Sequence, residues 1–487
     1  MRLHLARRAR LWIIWLLVVF GAMNVFGAPL DAWRRPGDPQ SVSWQTLRLR
    51  QNGLERLLSA LRDDGDVERY FAYAEATLGQ PYSAGFLRPP GAEGGGGPPD
   101  EGRIAIPPRP LIPWRDFAVE YPPAMMAAAL LPALLTSDGE TYLRLFSLEM
   151  EIVLTLAALL AVRTAERLKR AGARAEATEA GSDALSHAIL LVAALGVVCV
   201  RRYDSCVALA IAASISAFVA RRPGLSGAAL GLAVALKGAP IVLAPIFAAY
   251  AIARRDRKGL ARGVAGGALT LGPIAIAYAA VAGPHAFDAF AYHGSRPLQI
   301  QSVYSGLLML VQPFRPALVG LAFDYGSLNL ASPVEPVLRA ISSALLVAGL
   351  ATAWLMGWRG VTRARHEDER LLAVVVASFA CLVAYITLGR IFSPQYCVWL
   401  IPLAATAAAF VTAPARRLLP VSFLMIQAEY PFLFSLLYSW PTPITGGFIL
   451  LRTVWLWRSA AAQFGTSLSA AKGHRPHAEP TATSLTA

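Results

Sequence analysis

Long apolar runs alternate with short polar breaks along most of the chain. The first run, LWIIWLLVVFGAMNVFGA, follows the basic start MRLHLARRAR. Others cover roughly 122–137, 141–162, 185–200, 205–220, 225–236, 239–253, 264–282, 337–357, 371–388, 396–412, 418–437 and 444–457. A straight membrane span needs about 20 apolar residues, so several runs suffice and others fall short. Residues 1–28 read as a first transmembrane helix. A cleaved signal peptide fits less well, because the run is longer than a usual signal core and many more spans follow. Residues 29–118 are the longest polar stretch. Within it Trp44, Leu47, Leu54, Leu57, Leu58 and Leu61 recur at helical spacing, which predicts an amphipathic helix on the membrane surface. After the break RDDGD, Val67, Tyr70, Phe71 and Ala74 begin a second helical pattern. Residues 88–113 are rich in Pro and Gly and predict a flexible excursion.

Charge sets the orientation of these elements. The chain carries 45 Lys and Arg against 31 Asp and Glu, a formal charge of +14. The cations gather in short clusters between apolar runs, as in RRAR, RLKR, RRDRK and PARR. That is how a polytopic membrane protein holds its loops in the cytoplasm, and it argues against a nucleic-acid partner. The predicted class is an all-α polytopic protein with about twelve spans, plus re-entrant or juxtamembrane helices, and both termini inside. This count requires 122–137 to dip into the membrane and return; crossing there would leave one basic loop on the wrong side. The organisation is then a first helix (1–28), an extracytoplasmic loop (29–118), a polytopic domain (119–458) and a disordered cytoplasmic tail (459–487). Residues 283–336 fall outside, with 303–323 half inserted.

Composition narrows the class further. Hydrophobic residues make up 55% and charged residues 16%, with a mean hydropathy of +0.47. A soluble protein carries roughly 25% charged residues, so a set of soluble domains is excluded. The cysteines Cys199, Cys206, Cys381 and Cys397 lie in or beside apolar runs without a CxxC pair and read as small buried hydrophobes. No GxGxxG, Walker, HExxH or GxSxG signature is evident, and no ligand cluster implies a metal or other cofactor.

The predicted topology places one group of polar residues on the outer face. Asp66, after Gly65 at a helix start, is either an N-cap or a general base held above the bilayer. In FAVEYPP, Glu120 and Tyr121 precede paired prolines; Glu120 either orients an acceptor hydroxyl or sits at the interface. In VRRYDSC, Arg201 and Arg202 are interface anchors, or Arg202 pairs with Asp204 and leaves one arginine to face an anion. Lys237 either snorkels or binds phosphate near the outer face. In AYHGSRPLQIQSVYSG, His293 and Arg296 suit a lipid phosphate, and Gln299 and Gln301 offer donors and acceptors for sugar hydroxyls. Arg390 is an anchor or a second phosphate ligand, ahead of Gln395 and Tyr396 in the helix start SPQY. Together these groups describe a site for a sugar on a lipid phosphate. A transporter or lipid flippase is the competing class, although no repeated half is evident.

The ordered motifs also carry a resemblance. D-x-x-x-Y at Asp66–Tyr70, G-x-P-Y at Gly79–Tyr82, EYPP, RYD at 202–204, G-L-A-x-A-x-K at 231–237, R-P-L-Q-I-Q-S at 296–302 and S-P-Q-Y-x-x-W-L at 393–400 resemble glycosyltransferase family 87 over residues 1–457. The resemblance implies the GT-C membrane fold and a polyprenyl-phosphate sugar donor, commonly of mannose. It implies inverting transfer to a lipid or glycan hydroxyl outside the cytoplasmic membrane, with Asp66 as base. His293, Arg296, Lys237 and Arg390 would then hold the donor phosphate, and Glu120, Tyr121, Arg202, Asp204, Gln299, Gln301, Gln395 and Tyr396 the substrates. Two departures are visible: the family more often has Glu where this chain has Gln301, and the Pro/Gly stretch at 88–113 is unusual.

Overall fold

The computed structural model describes residues 2–22, 65–90, 104–169, 174–434 and 442–473. The amphipathic helix expected around Trp44–Leu61 and the centre of the Pro/Gly stretch lie outside these residues. Helices dominate. α1 (Arg2–Leu16) runs into a π-helical turn, and α2 (Gly65–Leu78) carries the second helical pattern. Val67, Tyr70 and Ala74 are buried on one face of α2, as their spacing predicts. Gly79 ends α2 with φ +75°, while the Gln80 N–H reaches back to the Glu75 carbonyl. Only glycine enters that left-handed cap without strain.

α3 (Met125–Ala133) has 9 residues. At 1.5 Å per residue it is about 14 Å long, too short to cross a hydrocarbon core of ~30 Å. α4 (Gly139–Leu168), α5 (Arg174–Leu195), α6 (Asp204–Val219), α7 (Pro223–Leu236), α8 (Ala244–Ala253), α9 (Arg257–Ala282) and α10 (Asp288–Ser295) follow. Five helices among the described residues are long and apolar enough to cross a membrane: Gly139–Leu168, Glu176–Cys199, Arg257–Ser295, Glu335–Arg363 and Glu367–Leu388. Shorter apolar helices lie between them, including α6 and α7.

α7 and α9 approach so closely that a Cβ on Gly227 would overlap the Gly263 carbonyl, and one on Gly266 the Gly224 carbonyl. Such contacts let two backbones meet where lipid provides no hydrophobic drive between helices. The outer face of α9 is left exposed, with Val264, Leu269 and Ile276 directed outward.

α11 (Val303–Val311) is capped by the Ser302 hydroxyl, which accepts from the Ser305 N–H. α12 (Glu335–Arg363) and α13 (Glu367–Leu388) then pair, and α13 is central, buried along almost its whole length. α14 (Leu400–Ala407), α15 (Leu418–Gln427) and α16 (Pro443–Gly473) complete the helices that matter here. The tail expected to be disordered from 459 is helical to Gly473, and residues 474–487 lie outside the described set. Ser459, Ala460, Gln463 and Phe464 are buried, because one face of this polar-looking segment is small or apolar.

Two short antiparallel pairs modify the all-α expectation. β1 (Tyr82–Ser83) pairs with β2 (Ile104–Ala105), and β3 (Gly320–Asp324) with β4 (Ser327–Ala331). The second hairpin turns at Tyr325–Gly326, both with positive φ, the geometry that matches strand twist in a two-residue turn. It replaces part of the apolar piece 303–323 expected to enter the membrane. All four cysteines are free, and all but Cys206 are fully buried.

Candidate active site

The site gathers at one end of the bundle. α2 brings Asp66 and Arg69, and the loop before α3 brings Glu120 and Tyr121. The start of α6 brings Arg202, Tyr203 and Asp204; the end of α7 brings Lys237; α10 and the following loop bring Tyr292, His293 and Arg296. Ordinary helix logic positions several of these. Asp66 and Asp204 lie in the first turns of α2 and α6, where a carboxylate meets the positive end of the helix dipole.

Two ion pairs organise the centre, and neither is the Arg202–Asp204 pair that sequence proximity suggests. Arg202 Nε is 2.9 Å from Asp66 Oδ2. Its Nη2 donates to the Tyr430 hydroxyl at 2.9 Å. Lys237 Nζ instead meets both oxygens of Asp204, at 2.8 and 3.0 Å, and Trp399 Nε1 donates to Asp204 Oδ1 at 2.9 Å. The Lys237 ammonium also lies over the rings of Tyr396, Tyr203 and Trp399, at 4.6, 5.0 and 5.5 Å from their centroids. The geometry therefore makes Lys237 the counter-ion of a fully buried aspartate rather than a phosphate ligand. Successive residues point apart along the short Arg202–Asp204 turn, which is why they choose different partners.

Between the two pairs lies a cluster of tyrosines. Tyr70, Tyr121 and Tyr203 contact one another edge to face, with centroids 5.3–5.9 Å apart. The buried hydroxyls of Tyr70 and Tyr203 have no hydrogen-bond partner among the described residues. Burial pushes the Tyr70 phenol well up, so it stays a neutral donor. Unsatisfied buried hydroxyls cost free energy, which makes these two candidate ligand contacts.

A second charged group borders this cluster. Glu120 pairs with Arg69 and accepts from the Tyr292 hydroxyl at 2.9 Å. Burial disfavours its charge, but Arg69, Arg296 and the Tyr292 hydrogen bond outweigh burial and hold the carboxyl down at about 2. His293 Nε2 lies 2.9 Å from the Glu120 carbonyl oxygen. The ring is therefore the donor there, protonated on Nε2. Arg296 Nη2 donates to Ser327 Oγ at 2.8 Å, while its buried Nε has no partner among the described residues. Tyr325, at the hairpin tip, accepts from Tyr292 and lies 5.1 Å from its ring.

Some of the other expected site residues are held by scaffold contacts. Arg390 donates to the Gly294 and Arg296 carbonyls, at 2.7 and 3.4 Å, and so ties down the loop instead of facing a ligand. Gln299 bonds through its backbone to Arg390, while its side-chain oxygen is buried without a partner among the described residues. Gln301 is 2% exposed and donates to Glu429 at 3.0 Å, away from any open surface. Gln395 and Tyr396 lie half-buried on the 3-10 turn Pro394–Trp399. Arg201 is no interface anchor: it is buried and donates to Ser147 and to the Leu143 carbonyl.

Several functional-looking groups escaped the sequence reading. Arg69 lies one turn after Asp66 on the same helix face. Glu429 and Arg452 form a fully buried pair at 2.7 Å, with Arg452 over the Phe392 ring at 3.5 Å. Both stand inside apolar runs, FLMIQAEYPFLF and GGFILLRTVWLW, and an ionisable residue at that depth was the available signal. Among the described residues, no group of three or more His, Cys, Asp or Glu could hold a metal ion.

Residues 119–385 match glycosyltransferase family 87. The chain belongs to that family. It is a membrane glycosyltransferase, and the matched region includes Glu120, Arg202, Asp204, Lys237, His293 and Arg296 but begins after Asp66. No curated protein sequence matches the chain. Among solved structures it is similar to ArnT from Cupriavidus metallidurans bound to undecaprenyl phosphate, at 14% identity and a TM-score of 0.42, covering 95% of this chain and 77% of that one. The apo form of the same protein gives 14% identity and a TM-score of 0.41, covering 95% and 76%. The Archaeoglobus fulgidus oligosaccharyltransferase in its apo form gives 13% identity and a TM-score of 0.40, covering 95% and 56%.

Proposed function

We propose that the protein transfers a hexose, mannose foremost, from a polyprenyl-phosphate donor to a hydroxyl of a lipid or glycan acceptor at the extracytoplasmic face. The proposed fold type is GT-C, and the reaction is a single displacement with inversion. The acceptor oxygen attacks the anomeric carbon, its proton passes to Asp66, and the anomeric C–O bond breaks with its electron pair leaving on the polyprenyl phosphate. No general acid is needed, because that leaving group is already a stable anion.

The observation that carries this reading is the state of the Asp66 carboxylate. Oδ2 lies 2.9 Å from Arg202 Nε, and the Asp66 side chain is 23% exposed, so the carboxylate is held by a cation and still reachable. A carboxylate held by an ion pair and still reachable is placed to take a proton, a contribution of roughly 10²–10⁴-fold. Arg296 supports the donor side: its buried Nε lacks an acceptor, which a phosphate oxygen would supply. His293 stays beside it with its Nε2 proton given to the Glu120 carbonyl. Lys237 and Arg390 act in this reading through the residues they hold.

The test is transfer of labelled sugar by the purified chain in proteoliposomes supplied with polyprenyl-phosphate hexoses. Product of inverted anomeric configuration is expected. Movement of the lipid across the bilayer without transfer would favour the flippase reading instead.

A further inference from the structure

A second charged constellation occupies the other end of the bundle. α6 leads away from Asp204 and ends at Val219, just before Arg221; α7 returns from Pro223 to Lys237. α13 likewise starts at Glu367 and finishes beside Arg390. The 16 residues of α6 separate the two ends by about 24 Å at 1.5 Å per residue.

At this far end Glu367 draws three turns together. Its Oε1 takes Arg221 Nη2 and the Tyr250 hydroxyl. Its Oε2 takes Arg254 Nε at 3.4 Å and Arg370 Nη1 at 3.2 Å. The Arg221 and Arg254 side chains remain 45% and 46% exposed. Arg222, Arg255, Arg257 and Lys258 are exposed on the same two turns. Asp256, the acid on the α8–α9 turn, is occupied in capping α9 through the Gly259 N–H.

The arithmetic of donors leaves a surplus. A guanidinium carries five N–H donors and no acceptor. Glu367 is the carboxylate within ion-pair distance of Arg221, Arg254 and Arg370 among the described residues, and the roughly four lone-pair sites of one carboxylate cannot fill the donors of three guanidiniums. Orientation of loops by charge needs cations in the right segments, but not three of them converging on one acid. Arg221 and Arg255 also hold left-handed backbone, with φ 61° and 53°, an uncommon state for a long side chain.

What lies beneath the arginines points to the kind of ligand. Phe218 stacks on Phe247 at 4.8 Å and meets Tyr250 edge-on at 4.9 Å. Leu225 and Ile252, each within about one turn of the arginines, are 57% exposed. A cationic rim rich in unfilled donors therefore stands directly above an outward-facing apolar wall, at the ends of membrane helices. Phospholipid headgroups sit at that depth.

We propose that this end of the bundle binds the phosphate of an anionic phospholipid between Arg221, Arg254 and Arg370, in the leaflet opposite the candidate active site. The phosphate oxygens accept from the guanidinium nitrogens that Glu367 leaves unused. The acyl chains lie along the apolar wall. Nothing in this proposal depends on the chemistry assigned to Asp66.

The experiment measures lipid binding by the purified full-length chain in detergent. Phosphatidylglycerol is compared with phosphatidylcholine and with inorganic phosphate at matched ionic strength, reading thermal stability and bound lipid by native mass spectrometry. Phosphatidylglycerol is expected to raise the melting temperature and stay bound, and the other two are not. A basic residue near an anionic surface is worth about 1 kcal/mol, roughly fivefold, so the double variant R221A/R254A is expected to bind phosphatidylglycerol ~30-fold more weakly. Glu367→Gln removes the competing carboxylate and is expected to bind at least as tightly as the parent. This opposite sign separates a binding role from a structural one, and it serves even where the double variant folds poorly. Equal stabilisation by inorganic phosphate overturns the lipid as the source of the anion. Unchanged phosphatidylglycerol binding in a folded R221A/R254A, or its loss in a folded Glu367→Gln, overturns the site.

Discussion

Arg202 joins Asp66 to Tyr430 through one guanidinium, with Nε 2.9 Å from the carboxylate and Nη2 2.9 Å from the phenol oxygen. The candidate base on α2 is thereby fixed to the start of α6 and to the helix break after α15, segments far apart in sequence. Asp66→Asn keeps the shape and the hydrogen-bonding capacity of this link but removes the basic oxygen. We expect glycosyl transfer to fall by at least ~10²-fold while the chain still folds, with a lower melting temperature because the buried Arg202 loses a charged partner. Turnover near the parent level in this variant would remove Asp66 from the mechanism.

Tyr430 has backbone angles outside the helical range, φ −138° and ψ 126°, at the break that presents its hydroxyl to Arg202. Tyr430→Phe deletes that oxygen and little else. A hydrogen bond to a charged group is worth about 1.5–3 kcal/mol, part of which Arg202 recovers from other acceptors, so kcat is expected to drop by roughly tenfold. KM for the lipid donor should change little, because the effect passes through the orientation of Asp66. A rise in KM alone would place Tyr430 on the donor.

Arg296 and Lys237 should behave differently when truncated. Arg296→Ala is expected to raise KM for the donor more than it lowers stability. Lys237→Ala leaves the buried Asp204 carboxylate without its cation, a loss of about 3–5 kcal/mol. Adding Asp204→Asn to Lys237→Ala should recover much of that stability. Failure of the second substitution to restore folding would show that the lysine acts through more than this pair.

Glu75 offers a pH signature on α2. Burial raises its carboxyl to about 7, above the ordinary value of 4.5. The folded state therefore keeps a proton that the unfolded state releases as pH rises from about 4.5 to 7. Stability associated with this group is complete below that window and is lost as pH climbs through it. Glu75→Gln removes the effect. It is expected to stabilise the protein at pH 8 by of order 2 kcal/mol and to do little at pH 4, as read by thermal unfolding in detergent.

Much of this arrangement was legible in the sequence because membrane helices leave strong periodic and compositional marks. Val67, Tyr70 and Ala74 announced the buried face of α2, and the isolated polar motifs RYD, LAVALK and HGSRPLQ announced which helix ends meet. Their partnerships were not legible. Asp204 prefers Lys237, 33 positions away, over its neighbour Arg202, because pairing follows the packing of α6 against α7 and not the order of residues. Gln301 looked like a sugar contact because it sits in a polar loop, yet Glu429 and Arg452 draw it into the interior. The hairpin at 320–331 was hidden for a different reason: its strands are short and apolar, so they read as continuing the segment before them.

The close approach of Gly227 and Gly266 to the backbone opposite reaches beyond helix packing. α7 ends in Lys237, and α9 leads through Gly283 and a short 3-10 turn into α10, which carries Tyr292 and His293. One flank of the candidate site is thus clamped to the other by a joint with no side chains in it. A bulkier residue at that joint would push the two flanks apart from well below, altering the spacing of the candidate site without touching a single group in it.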